Sequence, residues 1–318
     1  MKVLSLFDGI SCGRVALDRA SFSVERYVAY EIEPWAIEVS KKNYPSIEHR
    51  GDVLKGDYTE YKGFDLLLGG SPCQSFSICK RDRETTPDGI GGKLFMEYVR
   101  ALREASPGYF IYENNYSIHQ NIKDFISEQL GVRPIVINSA LVSAQSRKRC
   151  YWTNIPDIPQ PDDRGICVND IVDETLEDYI DYTKTHEIHW SGKKVESYSP
   201  KIEQIGYINK GRQGERVYSP LGKSANLTAN SGGLGAKTGL YYIDGHVRML
   251  SPLEAERLQT LPDNFTSVEG ITNTARYRCV GNGWTVEVIA HILRHMPKVV
   301  KNTSHLEGLF EVFQYHQQ

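Results

Sequence analysis

Along the first 155 residues, short apolar runs alternate with stretches whose apolar positions recur at helical spacing. Lys2-Val-Leu-Ser-Leu-Phe7, Val24-Glu-Arg-Tyr-Val-Ala-Tyr30, Phe64-Asp-Leu-Leu-Leu68, Tyr109-Phe-Ile-Tyr112 and Pro134-Ile-Val-Ile137 read as strands. Residues 14–19, 34–40 and 122–126 read as helices, as does a segment with Leu94, Tyr98, Ala101 and Leu102 on one face. Such alternation predicts an α/β fold with a doubly wound, largely parallel sheet. Cys150-Tyr-Trp-Thr153 has strand character, and then Pro156, Pro159 and Pro161 break the rhythm. A domain boundary is expected there.

Beyond the boundary the pattern is mostly irregular and the charge is segregated. Residues 157–187 carry ten Asp or Glu against two Lys or Arg, whereas residues 188–240 carry eight Lys or Arg against three Glu. Arg212 in Gly211-Arg-Gln-Gly214, and Thr228, Asn230, Gly232 and Gly233 in the next glycine-rich loop, suit close backbone approach to phosphates. Periodicity then returns. Ser251, Pro252 and Glu254 predict a capped helix start, with Leu253, Leu258 and Leu261 as the buried stripe. Val286, Ile289, Ala290 and Leu293 form one face of a last helix, preceded by a turn at Gly281-Asn-Gly283. Residues 297–318 form a poorly specified tail.

Composition narrows the function classes. The 318 residues are 40% hydrophobic and 24% charged, as in ordinary soluble proteins. No run approaches the roughly 18 apolar residues of a membrane span, and a cytoplasmic setting is expected. A net charge of −3 gives no bulk attraction to nucleic acid, so a nucleic-acid-binding surface would have to be local. The six cysteines show neither Cys-x-x-Cys pairs nor a histidine ligand pattern, so no metal is expected.

Candidate chemistry gathers at the ends of the predicted strands. Cys73 follows Gly69-Gly-Ser-Pro72 at the end of a buried strand, where open sheets build their sites, and is a candidate nucleophile. A buried structural thiol would read the same way. Asp8-Gly-Ile-Ser-Cys-Gly13 is a glycine-bearing turn between a strand and a helix, a common cradle for nucleotide-like ligands. Glu31 ends the second strand, about 20 residues past that turn, where an acid reaches ribose hydroxyls. Asp52 sits in a later tight turn, and residues 80–93 read as a lid beside Cys73. Arg147 and Arg149, one residue apart, would share a strand face.

In these residues the chain resembles the cytosine-C5 DNA methyltransferase family over nearly its whole length, with the family's blocks in order. Leu6-Phe-Asp-Gly9 resembles the first S-adenosylmethionine block, Ser71-Pro-Cys-Gln74 the nucleophile block, Glu113-Asn114 the block that recognises a flipped cytosine, and Gln145-Ser-Arg-Lys-Arg149 the arginine block. Residues 248–262 and Gly281-Asn282 resemble the last two. The opening residues and Gly-Gly-Ser-Pro-Cys particularly resemble the mammalian de novo branch and its phage or bacterial relatives. The resemblance implies an S-adenosylmethionine-dependent methyltransferase (Rossmann-like) mixed sheet in a cofactor-binding and catalytic domain at 1–155 plus 277–318, with a small irregular target-recognition domain at 156–276. It implies methyl transfer to C5 of a flipped cytosine in duplex DNA, through a covalent bond from Cys73 to C6. Glu113, Arg147 and Arg149 would assist at the base. Phe7, Asp8, Gly9, Ile10, Gly13, Glu31, Ile32, Asp52, Val53, Pro72, Leu94, Asn282 and Val286 would bind the cofactor. Gln74, Ser77, Gln145, Arg212, Thr228, Asn230, Gly232 and Gly233 would approach DNA. The enzyme is expected to be monomeric, with a cognate restriction endonuclease as a possible partner. Three positions depart from the family pattern: Cys12 for glycine, Ile32 for tryptophan and Asn115 for valine. A transfer-RNA-methylating relative usually carries a Cys-Phe-Thr tripeptide that this chain lacks, and an inactive DNA-binding regulator would not need Cys73, Glu113 and Arg149.

Overall fold

The computed structural model describes residues 1–72, 84–229 and 238–297. Seven strands, β1 (Lys2–Leu6), β2 (Arg26–Tyr30), β3 (Glu48–His49), β4 (Leu66–Gly69), β5 (Tyr109–Asn115), β6 (Ile135–Asn138) and β7 (Lys148–Thr153), form one sheet in the order β3-β2-β1-β4-β5-β7-β6. Four helices alternate with them: α1 (Cys12–Arg19), α2 (Pro34–Asn43), α3 (Ile90–Ala105) and α4 (Gln120–Leu130). Val3, Leu4, Leu66, Leu67 and Leu68 are wholly buried. Layers on both faces of a sheet give such unbroken apolar runs. The order reverses between β1 and β4, so the crevice of this doubly wound fold opens at the carboxyl ends of those two strands.

The sheet is mixed, because β7 runs antiparallel to both β5 and β6. Residues 139–147, which link β6 to β7, hold only one short 3-10 turn, Ser139–Leu141. That link is shorter than the dozen or so residues a parallel crossover takes. One face carries an aromatic cluster in which Tyr112 meets Tyr98 at 4.8 Å and Phe95 at 5.0 Å between ring centroids. Gly69 has to be glycine here: an added Cβ would lie 2.8 Å from the Tyr98 ring and 3.0 Å from the Leu6 carbonyl.

The segment read as irregular contains a second sheet. β8 (His189–Trp190), β9 (Gln204–Tyr207), β10 (Arg216–Tyr218), β11 (Leu240–Ile243) and β12 (His246–Arg248) lie in the order β12-β11-β10-β9-β8. The strands have two to four residues each, too few for alternation to be read from sequence. The chain then forms α5 (Pro252–Leu258), α6 (Asn273–Asn282) and α7 (Val286–Arg294). Helix α7 packs along α1 with Val286, Ile289, Ala290 and Leu293 fully buried. The Gly281–Gly283 turn closes α6 rather than merely opening α7. Among the described residues no helix is long and apolar enough to cross a membrane.

Helix α5 starts as expected: Ser251 Oγ accepts from the Glu254 amide at 3.2 Å, and the Glu254 carboxylate accepts from the Ser251 amide at 2.7 Å. Its buried face differs from the expectation. Leu253 is only half-buried, whereas Glu254 and Glu256 are fully buried. Arg248 clasps Glu254 through two bonds of 2.8 and 2.7 Å, and Arg276 bonds Glu256 at 2.9 Å. A buried charge is tolerated only when so paired. Glu254→Gln keeps a cap acceptor but leaves the Arg248 charge uncompensated. It should lower unfolding free energy by about 3 kcal/mol in urea titration, and restoring the acid at 254 should restore it.

Candidate active site

The first βα turn is built on one carboxylate. Phe7, Gly9 and Ser11 all adopt left-handed backbone conformations, with φ of 56°, 60° and 61°. Asp8 stabilises this turn by accepting from Ser5 Oγ (2.6 Å), Ser11 Oγ and Tyr27 OH (2.7 Å). None of those donors is charged, and burial pushes the Asp8 carboxyl from 3.8 up to about 6 against the opposing pull of the hydroxyls. At the end of β2, Glu31 Oε2 accepts from the Gly9 amide at 2.8 Å. Its Oε1 accepts from the amides of Ile32 and Glu33, each at 2.8 Å. Ile32 is 69% exposed beside it. Asp52 Oδ1 accepts from the Leu54 amide at 3.0 Å at the end of β3.

Phe7, Asp8, Gly9 and Asn282 therefore share one cavity, with Ser5, Cys12, Gly283 and Trp284 completing its lining. Ile10, Gly13 and Val286 turn into the core instead. A Cβ on Gly13 would lie 2.7 Å from Leu68 and 3.1 Å from the Tyr27 hydroxyl, which explains that glycine by helix packing. Val53 is buried, and Leu94 is half-buried in the first turns of α3, which begins at Ile90. The departure at Cys12 has a packing partner: a Cβ on Gly283 would sit 3.2 Å from its sulfur.

The second focus is Glu113, which lies within β5 rather than after it. Arg149 Nε meets Glu113 Oε1 at 2.9 Å, and Trp284 Nε1 donates to Oε2 at 3.1 Å. The Glu113 and Arg149 side chains are only 13% and 10% exposed, so the pair is held largely out of water. Gly70 lies against it: a Cβ there would be 3.1 Å from Glu113 Oε2. Ser71 Oγ bonds Tyr112 OH at 2.6 Å, and Asn114 Nδ2 donates to the same hydroxyl at 3.2 Å. Asn115, the third departure, forms the β-pair opposite Arg149. Cys73, Gln74 and Ser77, and residues 80–83 of the expected lid, lie outside the described residues, as do Asn230, Gly232 and Gly233, whereas residues 90–93 of that lid are the first turn of α3.

The structure separates the two arginines expected to converge. Strand β7 begins at Lys148, so the alternation that would align them does not extend to Arg147. Arg147 is buried, with Nη1 on Asn226 Oδ1 (3.1 Å) and the Leu227 carbonyl (2.9 Å), and Nη2 on the carbonyls of Gly281 and Gly283 (3.1 Å each). Its guanidinium ties the small sheet's return segment to the α6–α7 turn. Gln145, expected at DNA, is wholly buried in the same seam. Its Oε1 accepts from the Leu227 amide at 2.8 Å, and its Nε2 donates to the Leu258 carbonyl at 3.3 Å. Thr228 is packed here too, since a Cβ on Gly281 would lie 2.4 Å from the Thr228 carbonyl group. Arg212 is exposed, with its amide on Glu215 Oε2 at 2.8 Å.

Burial decides which described thiols can react. It pushes Cys12 and Cys279 up to about 12 and Cys150 to about 11, and it raises Cys167 as well. Buried thiols of this kind are inert at neutral pH. The residue that sequence reasoning missed is Trp284. Its only sequence signal is its place directly after Gly281-Asn-Gly283, as one of four tryptophans in the chain.

Residues 1–298 match the family described as C-5 cytosine-specific DNA methylase. The chain is similar to the type II methyltransferase M.HhaI of Haemophilus parahaemolyticus, with 29% identity over 312 residues that cover 92% of this chain and 93% of the relative. It is also similar to the type II methyltransferase M1.ScrFI of Lactococcus lactis subsp. cremoris, with 27% identity over 95% of this chain and 79% of the relative. Among solved structures, EhMeth of Entamoeba histolytica superposes with a TM-score of 0.69 at 15% identity, covering 93% of this chain and 97% of that one. DNMT2 of Spodoptera frugiperda superposes with a TM-score of 0.66, also at 15% identity, covering 92% and 98%. At such identity the structural likeness is one of fold, and it agrees with the mixed-sheet methyltransferase fold expected from the sequence.

The raised Asp8 carboxyl makes a signed prediction. Its folded value lies above its ordinary one, so its contribution to stability is full at low pH and is lost as pH rises through about 6. The stability of the wild type relative to Asp8→Asn should therefore fall by about 1.4 kcal/mol between pH 5 and pH 7.5. Urea unfolding of the two proteins across that range checks it; a flat difference would mean that Asp8 is not desolvated.

Proposed function

The chain belongs to the C-5 cytosine-specific DNA methylase family, and on that premise we propose that it methylates C5 of a cytosine flipped out of duplex DNA, with Cys73 as the covalent nucleophile. The observation that carries this reading is the Glu113 carboxylate, clasped by Arg149 and Trp284 beside Gly70, three residues before Cys73. Cytosine C5 is a poor nucleophile. Addition of the Cys73 thiolate to C6 turns the ring into an enamine, and C5 then becomes the nucleophilic carbon. Glu113 would accept from the amino group and, as the carboxyl group, give N3 the proton that neutralises the negative charge the addition pushes there. We assign Arg149 Nη2 to O2, since Nε lies on Glu113 and Nη1 donates to the Lys148 carbonyl at 2.8 Å. Once C5 has taken the methyl group, its proton passes to solvent, the C5–C6 double bond re-forms and the Cys73 sulfur leaves as thiolate by β-elimination. Arg147 is given a positioning role in this reading, through the carbonyls of Gly281 and Gly283.

S-adenosylmethionine is the proposed methyl donor, and the crevice residues fit it. Glu31 is held rigid by three amides at the end of β2, where ribose hydroxyls would meet it. The exposed Ile32 offers an apolar surface to an adenine, and Asp52 offers an acceptor for its amino group. Phe7, Asp8, Gly9 and Asn282 would face the amino-acid end. Pro72, which is exposed, would lie toward the transferred methyl. The small sheet and its basic segment are proposed as the target-recognition domain. Residues 156–276 need not all belong to it, because Ala255, Leu258, Leu261 and Phe265 pack into the same core as Val3 and Leu68. A monomeric enzyme acting on bacterial or phage DNA in the cytoplasm, with or without a cognate endonuclease, fits this reading.

Bisulfite sequencing of plasmid DNA from expressing cells tests the proposal. The wild type should leave methylated cytosines in one short sequence context, and Cys73→Ala should leave none. Unmethylated DNA from folded wild-type protein would overturn the activity. Glu31→Gln should weaken S-adenosylmethionine binding about ten-fold in calorimetry, as expected for loss of charge-assisted hydrogen bonds.

A further inference from the structure

We propose that Trp284 is a positioning residue for Glu113, whose indole N–H fixes the carboxylate and ties it to the wall of the donor crevice. The inference rests on the function proposed above. Trp284 Nε1 donates to Glu113 Oε2 at 3.1 Å while Arg149 Nε holds Oε1 at 2.9 Å. Each carboxylate oxygen keeps a second lone pair. Those two positions match a cytosine edge: one oxygen accepts from the exocyclic amino group, and the other shares the proton at N3. The last torsion of a glutamate is broad, so a carboxylate held through one oxygen swivels. The second donor removes that freedom before the base arrives, which is the preorganisation that efficient catalysis requires.

The tryptophan is itself held from several sides. The carbonyl of Gly283, just before it, accepts from Arg147 Nη2 at 3.1 Å and from Gln259 Nε2 at 3.2 Å. The hydroxyl of Thr285, just after it, bonds Gln259 Oε1 at 2.7 Å and Ser139 Oγ at 2.8 Å. The Cys12 sulfur at the start of α1 lies against the backbone just before Trp284, since a Cβ on Gly283 would sit 3.2 Å away. The half-buried indole shares its cavity with Phe7, Asp8 and Gly9. One ring thus spans the donor crevice and the carboxylate that would read the base. A Cβ on Gly70 would lie 3.4 Å from Trp284 Nε1, so the chain leading to Cys73 runs past the same bond.

Trp284→Phe keeps an aromatic wall and removes only the N–H. Single-turnover methylation should slow about ten-fold, the loss expected for one hydrogen bond to a charged group, with KM for S-adenosylmethionine within about two-fold. In a Glu113→Gln background the same substitution should change the rate by less than about two-fold, because the partner it acts through is already altered. An unchanged rate, a loss carried by KM for S-adenosylmethionine, or equal losses in both backgrounds would each overturn the proposal. A second readout keeps Trp284 in place: its indole 1H–15N resonance should shift in Glu113→Gln, and an unmoved resonance would overturn the bond. If the wild type transfers no methyl group, the functional reading falls and the indole resonance alone decides the contact.

Discussion

The turn at Gly281–Gly283 is where the molecule is tied together, and the ties are buried polar side chains on backbone carbonyls. A turn enclosed between two packed helices leaves carbonyls that water cannot reach, and each must find a donor. Gln259 serves those of Val280 and Gly283, and Arg147 serves those of Gly281 and Gly283. The planar fork of arginine suits two acceptors at once. Because the other limb of the same guanidinium holds Asn226 and Leu227, the small sheet's return segment is fixed to this turn as well. Backbone contact completes the seam, with no room for a side chain on Gly281 beneath Thr228.

The geometry around Glu113 follows from the reversed strand. In the antiparallel β5–β7 pair, Glu113 lies opposite Tyr151 and Asn115 opposite Arg149. Glu113 and Arg149 are therefore diagonal neighbours on one face, within reach of long side chains. The α6–α7 turn brings Trp284 to the carboxylate's other oxygen. Three segments far apart in sequence thus converge on one acid. Behind them, the aromatic cluster under Tyr112 and its bond to Ser71 support the strand end that leads to Cys73.

Buried acids recur through the carboxyl-terminal third, each with its own cation. Glu254 has Arg248, Glu256 has Arg276, and Glu287 at the start of α7 lies between Arg19 (3.0 Å) and Arg164 (2.8 Å). The Glu256 pair joins α5 to α6, and the Glu287 pairs join α7 to α1 and to the segment after β7, far away in sequence. Asp8, in the first βα turn, differs from them: hydroxyls alone hold it, and with no cation beside it burial raises its carboxyl.

Much of this was legible in the sequence. Apolar runs of period suited to buried strands gave the α/β alternation, the Ser251–Glu254 capping box gave a helix start, and the ordered motifs around Cys73, Glu113 and Gly281 gave the family. These signals are local, and a local pattern carries its own physics. The direction of β7, the short strands of the small sheet and the buried acids of α5 were not legible, since each is decided by a partner on another element and not by the local pattern. The same holds for the polar residues of the arginine block. In sequence, Gln145, Arg147 and Arg149 look alike, as side chains able to meet a ligand. Only packing separated them: a buried donor goes to whichever acceptor has lost its water, and that acceptor is a carbonyl for Gln145 and Arg147 but the Glu113 carboxylate for Arg149.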